Sequence, residues 1–173
     1  MKHHIIFDHS GSMAEYGKSF LLVNLLRYIR QEVKNNNQRC NIYGLSNYLN
    51  EIQQDDINED INIPDVIGKG LEIEVLLTFL DKNSEDKVLF LTDGYFDITP
   101  TQLHEFLQHS NLIVLALGAD AHYKNLQRIK CPLFMAVDIS AAIDVLLLPS
   151  LPNSPPLNCI QLKGIEVEND DEW

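Results

Sequence analysis

Short, fully apolar runs alternate along this chain with stretches whose apolar residues recur every three or four positions. His4-Ile5-Ile6-Phe7 opens the series as a compact strand. Between 17 and 34, Leu22, Leu25, Leu26, Ile29 and Val33 lay one apolar face along a helix, and the polar run Asn35-Asn36-Asn37-Gln38 ends it. Asn41 to Leu45 and Tyr48 to Ile52 read as two strands broken near Ser46-Asn47. A break that short predicts a hairpin, and so an antiparallel pair. The polar stretch 53–69, with Pro64, reads as loop. Leu71 to Leu80 then reads as a helix with Val75, Leu76, Phe79 and Leu80 apolar.

Val88-Leu89-Phe90-Leu91 is a continuous apolar run, as expected of a strand covered on both faces. Thr99-Pro100-Thr101-Gln102 carries three aligned helix-start signals: Thr as N-cap, Pro at the first helical position and Gln where a capping box needs it. Leu103, Phe106 and Leu107 form that helix's apolar face. Leu112 to Leu117, ended by Gly118, predicts another buried strand. A short helix over about 121–128, a strand from Leu133 to Val137 and a helix from Ile139 to Leu148 complete the pattern.

The resulting order, β-α-β-β-α-β-α-β-α-β-α, predicts an α/β domain over 1–148. Its sheet should be mostly parallel with helices on both faces, and the hairpin should supply one antiparallel edge strand. Past Leu148 the pattern stops. Four prolines (Pro149, Pro152, Pro155 and Pro156) predict an extended linker over 149–156. An acidic tail follows over 157–173, either disordered or partner-binding. Its Ile160-Gln161-Leu162 and Ile165-Glu166-Val167 alternations suit strand addition, and Trp173 suits a short anchor.

Charge sharpens this division. The chain has 13 basic and 25 acidic residues, a net of −12. That balance argues against nucleic acid or an anionic membrane as partner, since phosphate binding depends on clustered Lys and Arg. Six acids fall in 51–65 and five in 164–173, both free of Lys and Arg, so the rest of the chain is nearly neutral. No apolar run approaches the roughly 20 residues of a membrane helix. The start, Met1-Lys2-His3-His4, runs straight into a strand and leaves no room for a leader core. Cys40, Cys131 and Cys159 fit neither a disulfide framework nor zinc-ligand spacing. A cytoplasmic setting is expected, with Cys40 and Cys131 as small buried residues.

In doubly wound sheets, ligands bind beyond the carboxyl ends of the strands where the winding reverses. For a strand order of 3-2-1-4-5-6, that point lies between the first strand and the one at 88–91. Two loops meet there: Asp8-His9-Ser10-Gly11-Ser12 and Thr92-Asp93-Gly94. Asp8, Ser10 and Ser12 alternate along an extended turn, so their side chains can converge, and Asp93 joins them from the neighbouring strand. Two carboxylates and two hydroxyls form a hard, all-oxygen set suited to Mg²⁺ or Mn²⁺ and not to zinc. Taken alone, Asp8 and Ser10 would read as caps of the strand-to-helix turn. Asp93 beside them favours a joint site.

These runs carry a resemblance. Ile5-Ile6-Phe7-Asp8-His9-Ser10-Gly11-Ser12-Met13 resembles the Asp-x-Ser-x-Ser motif that opens a von Willebrand factor A (vWA) domain. Leu89-Phe90-Leu91-Thr92-Asp93-Gly94 resembles that family's second signature, in the right element order within residues 3–148. The resemblance implies a Rossmann-like three-layer fold and a metal-ion-dependent adhesion site (MIDAS). Asp8, Ser10 and Ser12 would then bind Mg²⁺ or Mn²⁺ directly or through water, and Asp93 through water. An open position would take a carboxylate from a protein partner. One departure stands out. The family's third loop contributes a threonine, whereas Gly68-Lys69-Gly70-Leu71-Glu72 places Leu71 there, with no Ser or Thr from 51 to 77. The metal then binds one ligand short, or water, Asp65 or Glu72 substitutes, or the site has lost metal. Lys69 either replaces missing metal charge or is solvated, and His9, in the variable slot, is expected to face solvent.

By resemblance, the chain is expected to be a stand-alone intracellular vWA adaptor of bacterial type. Such proteins work beside MoxR-like AAA+ ATPases in stress or defence gene clusters. The alternatives are a metal-independent scaffold that binds through its surface and tail, and a metal-assisted hydrolase. An enzyme is not expected. Haloacid-dehalogenase-type phosphatases need a second Asp where Ser10 stands, and no phosphate loop, Gly-x-Gly-x-x-Gly or nucleophile motif is present.

Overall fold

The computed structural model describes residues 2–52 and 70–148. The linker, the tail, Cys159, Asp65, Lys69 and the acidic stretch from 53 onward lie outside the described residues. In chain order the elements are β1 (His3–Asp8), a 3₁₀ turn (Gly11–Ala14), α1 (Lys18–Asn35), β2 (Cys40–Leu45), β3 (Leu49–Glu51), α2 (Ile73–Lys82) and β4 (Lys87–Thr92). Then follow α3 (Pro100–Phe106), β5 (Leu112–Ala116), α4 (Tyr123–Gln127), β6 (Leu133–Met135), a second 3₁₀ turn (Ala136–Asp138) and α5 (Ile139–Leu147). The strands form one sheet in the order β3-β2-β1-β4-β5-β6. All pairings are parallel except β2–β3, which is antiparallel. This is the expected topology, with the hairpin at one edge.

The continuous apolar runs occupy the middle of the sheet because helices cover both of its faces. Every residue of β1 is buried. Side chains alternate across the sheet, so Ile5 and Phe7 join the core under α1 and α5, whereas Ile6 joins the core under α2, α3 and α4. Leu22, Leu25, Leu26, Ile29 and Val33 form the buried face of α1. The α3 capping box forms as the sequence predicts, with the Gln102 amide and the Thr99 amide bonding reciprocally to the opposing side chains. Cys40 and Cys131 are buried, and burial pushes the Cys40 thiol up to about 11. No helix among the described residues is long and apolar enough to cross a membrane.

Two boundaries differ from the sequence pattern. The last strand stops at Met135, where its pairing with Ala116 of β5 ends, and Val137 is 89 % exposed. An edge strand has one neighbour only, and once that neighbour ends no ladder holds the chain extended. The second helix begins at Ile73 and not at Leu71. Glu72 has extended backbone, and its amide donates to Ser46 O at 2.9 Å, so the approach to α2 is tied to the end of β2.

Candidate functional site

Strands β1 and β4 lie side by side in register, Phe7 opposite Leu91, so both chains leave the sheet at the same level. Asp8 closes β1 and Thr92 closes β4. The Asp8 carboxylate is fully buried. Its Oδ1 accepts from the Ser10 amide at 2.9 Å and its Oδ2 from Thr92 Oγ1 at 2.7 Å. Thr92 Oγ1 in turn accepts from the Gly94 amide at 3.0 Å. Burial dominates its titration and holds the Asp8 carboxyl above the usual carboxylate range, despite the hydrogen bonds from Ser10 and Thr92.

All four residues singled out from the sequence meet here. Ser10 Oγ and Ser12 Oγ are 3.1 Å apart, and Ser12 Oγ donates to Asp93 Oδ1 at 3.2 Å. The Tyr95 amide also donates to Asp93 Oδ1, at 3.2 Å. The Asp93 loop is clamped from behind by α4. Asn125 Nδ2 donates to Gly94 O at 2.9 Å and Phe96 O at 2.7 Å, and the His122 amide donates to Asp93 O at 2.7 Å. Gly94 has φ +80° and packs so closely that a Cβ would fall 2.9 Å from Leu126 Cγ.

The donor set fits a hard divalent ion. Two ligand oxygens at right angles on an octahedral Mg²⁺ lie about 3 Å apart, given bonds of about 2.0–2.1 Å. The Ser10–Ser12 separation of 3.1 Å matches that edge. Two buried carboxylates stand beside it. Among the described residues no group of three or more His, Cys, Asp or Glu is placed to hold a metal ion, so the donor set rests on the two hydroxyls and two carboxylates. The third loop supplies no oxygen from Leu71, whose side chain packs against the core under α2. Glu72 is exposed at the start of α2. His9 departs from its expected solvent-facing position. It is half-buried, with its ring edge-on to Phe7 at 5.6 Å.

Lys18 is the residue that sequence reasoning missed. It is the first residue of α1, its side chain is 2 % exposed, and its ammonium lies 2.8 Å from Asp93 Oδ2 and 2.8 Å from Asp120 Oδ2. Ser12 O lies 3.4 Å from the same nitrogen. Burial disfavours the charged amine, but the carboxylates of Asp120 and Asp93 outweigh it and hold Lys18 above the ordinary lysine range. The Lys18 hydrogen bond correspondingly draws the Asp120 carboxyl down. One signal was present in the sequence. A cation at a helix N-terminus opposes the helix dipole and calls for nearby carboxylates.

No family model matches the sequence, and no curated relative matches it. Solved structures do. Proximal thread matrix protein 1 of the mussel byssus, with a zinc-occupied MIDAS motif, superposes with TM-score 0.57 at 15 % identity, covering 84 % of this chain and 44 % of that one. BatB of Bacteroides thetaiotaomicron superposes with TM-score 0.62 at 13 % identity, covering 84 % of this chain and 98 % of that one. The chain has the vWA fold. Manganese-loaded TRAP of Plasmodium vivax shares it, with TM-score 0.60, 14 % identity and coverage of 87 % and 74 %. This chain therefore spans less than half the mussel protein and nearly all of the BatB structure. At such identities the likeness is one of fold alone; in this chain Asp8, Ser10, Ser12 and Asp93 lie at or just beyond the carboxyl ends of β1 and β4.

Proposed function

We propose that this chain is a non-enzymatic protein-interaction adaptor that grips an acidic group of its partner through a divalent ion at the ends of β1 and β4. The observation that carries this reading is the Ser10–Ser12 pair, 3.1 Å apart, flanked by the buried carboxylates of Asp8 and Asp93. Ser10 and Ser12 would hold the ion, with Asp8 and Asp93 balancing its charge. A bound Mg²⁺ or Mn²⁺ supplies a Lewis-acidic position for a partner's carboxylate oxygen. Thr92 and the Ser10 amide fix Asp8, and α4 fixes the Asp93 loop, so the cradle is preorganised. The zinc-occupied MIDAS motif of the mussel protein and the manganese loading of the Plasmodium protein support a divalent ion in general.

The adaptor reading prefers binding to catalysis because the sequence around Asp8–Ser12 carries no phosphate-loop or nucleophile motif, although Ser12 donates to Asp93. The partner class proposed is a MoxR-like AAA+ ATPase or another component of the same cytoplasmic system, on the motif resemblance of Asp8–Ser12 and Thr92–Gly94. A second reading, a scaffold that binds without metal, draws on Leu71 in the third loop and on the Lys18 ammonium at Asp93.

The test is partner capture from the source cell by the immobilised full chain. The adaptor reading expects proteins that are retained in Mg²⁺, released by EDTA and absent from Asp8→Ala. A partner retained equally in EDTA and by Asp8→Ala favours the metal-free scaffold and overturns the metal-dependent one.

A further inference from the structure

Lys18 is built into its place. The β5–α4 loop closes on its stem: Gly118 has φ +90°, and a Cβ there would sit 2.9 Å from Lys18 Cε and 2.6 Å from Asp120 Oδ1. The Tyr95 and Tyr16 rings flank the ammonium at 5.4 Å and 5.9 Å. Tyr95 also joins the two acidic loops, donating its amide to Asp93 Oδ1 and its hydroxyl to Asp120 O at 2.8 Å. The ammonium bridges the two carboxylates at equal distances of 2.8 Å.

Those two carboxylates do different work. Asp93 is fully buried and turns its other oxygen toward Ser12, into the cradle. Asp120 is 36 % exposed and lies outside the cradle. Resting on the metal-dependent reading above, we propose that Lys18 sets the affinity of this site for divalent metal by competing for Asp93, with Asp120 as the counterweight that draws the ammonium away.

The charge count explains the effect. Asp8 and Asp93 together match a divalent ion. With the Lys18 ammonium shared between Asp93 and Asp120, part of the Asp93 charge is already answered before an ion arrives. An ion then binds more weakly and carries more uncompensated positive charge toward an incoming carboxylate. Leu71 in place of a threonine hydroxyl acts in the same direction. The site exchanges its ion readily and depends on an anionic partner to complete it.

The two sides of the bridge give effects of opposite sign, which a purely structural role would not. Mn²⁺ is titrated against the full chain, with free Mn²⁺ read by electron paramagnetic resonance and folding checked by circular dichroism. Lys18→Met is expected to tighten Mn²⁺ by about tenfold or more, since a full charge beside Asp93 is removed from a poorly screened position. Asp120→Asn, which leaves Lys18 to Asp93 alone, is expected to weaken Mn²⁺ about threefold. Lys18→Arg, which keeps the charge, should not show this tightening. Asp120 is partly exposed, so Asp120→Asn reads the competition even if Lys18→Met does not fold. Unchanged or weaker Mn²⁺ binding in a folded Lys18→Met, or tighter binding in Asp120→Asn, overturns the proposal and leaves the metal reading intact. Absence of Mn²⁺ binding in wild type and in every variant overturns both.

Discussion

Thr92 shows how much of this site is held by a side chain that is not itself a metal ligand. Its hydroxyl donates to Asp8 Oδ2 and accepts from the Gly94 amide, so one atom links the first loop to the second. Replacing it by valine keeps the shape of the residue, removes the donor from a buried carboxylate and leaves a buried amide without its acceptor. Thr92→Val is expected to cost about 1–3 kcal/mol, read by chemical denaturation, whereas Thr92→Ser should recover most of the loss. The four oxygen-bearing residues were legible because their spacing is local: Asp8, Ser10 and Ser12 lie within five positions, and Asp93 follows a strand of the same type. Lys18 was not legible in this way. Its partners lie 75 and 102 positions further along, and before folding nothing separates it from any solvated lysine except its place at a helix start.

At the scale of elements, the period of the apolar residues was enough to assign type and order. Helices and strands differ in period, and the central strands and the inner faces of the long helices are buried as that period requires. The positions Leu22, Leu25, Leu26, Ile29 and Val33 are buried on α1 as their spacing requires. Boundaries depend on tertiary contacts that the period does not carry. α2 starts two residues late because the Glu72 amide is tied to Ser46 O, a contact between the third loop and the β2 end. β6 stops early because β5 stops. The first shift matters for function, since it leaves Leu71 on the extended approach and turns its side chain into the core under α2. Gly44 shows a similar dependence. A Cβ there would lie 3.0 Å from the Phe7 ring, so β2 carries glycine where β1 carries its largest buried side chain.

For the whole molecule, the carboxyl ends of the strands carry the buried acids, whereas the opposite end of β1 carries two buried histidines. His3 is 3 % exposed, and burial holds its ring below the ordinary value of 6.5. The folded state therefore binds this proton less readily than the unfolded chain. The stability His3 contributes is full above pH 6.5 and declines as pH falls from there toward its lower folded value. Thermal unfolding of wild type and His3→Leu between pH 7.5 and about pH 5 should show the wild type losing stability relative to the variant on the acidic side. A constant difference would show that His3 titrates alike in both states. At the other end of the sheet, the vWA fold explains why Asp8 and Asp93 can be buried together. The turn amides, Thr92 and Lys18 answer their charges, and an ion would answer the remainder.

If Asp8, Ser10, Ser12 and Asp93 form a divalent metal site, ligand-linked stability reads it directly. An ion that binds the folded chain alone stabilises it by about 2.7 kcal/mol at a hundred times its dissociation constant. The midpoint of thermal unfolding, followed from EDTA through a series of Mg²⁺ or Mn²⁺ concentrations to the millimolar range, should rise by several degrees in wild type and stay flat in Asp8→Ala. A flat wild-type series, or an equal rise in Asp8→Ala, would show that these four residues do not hold the ion.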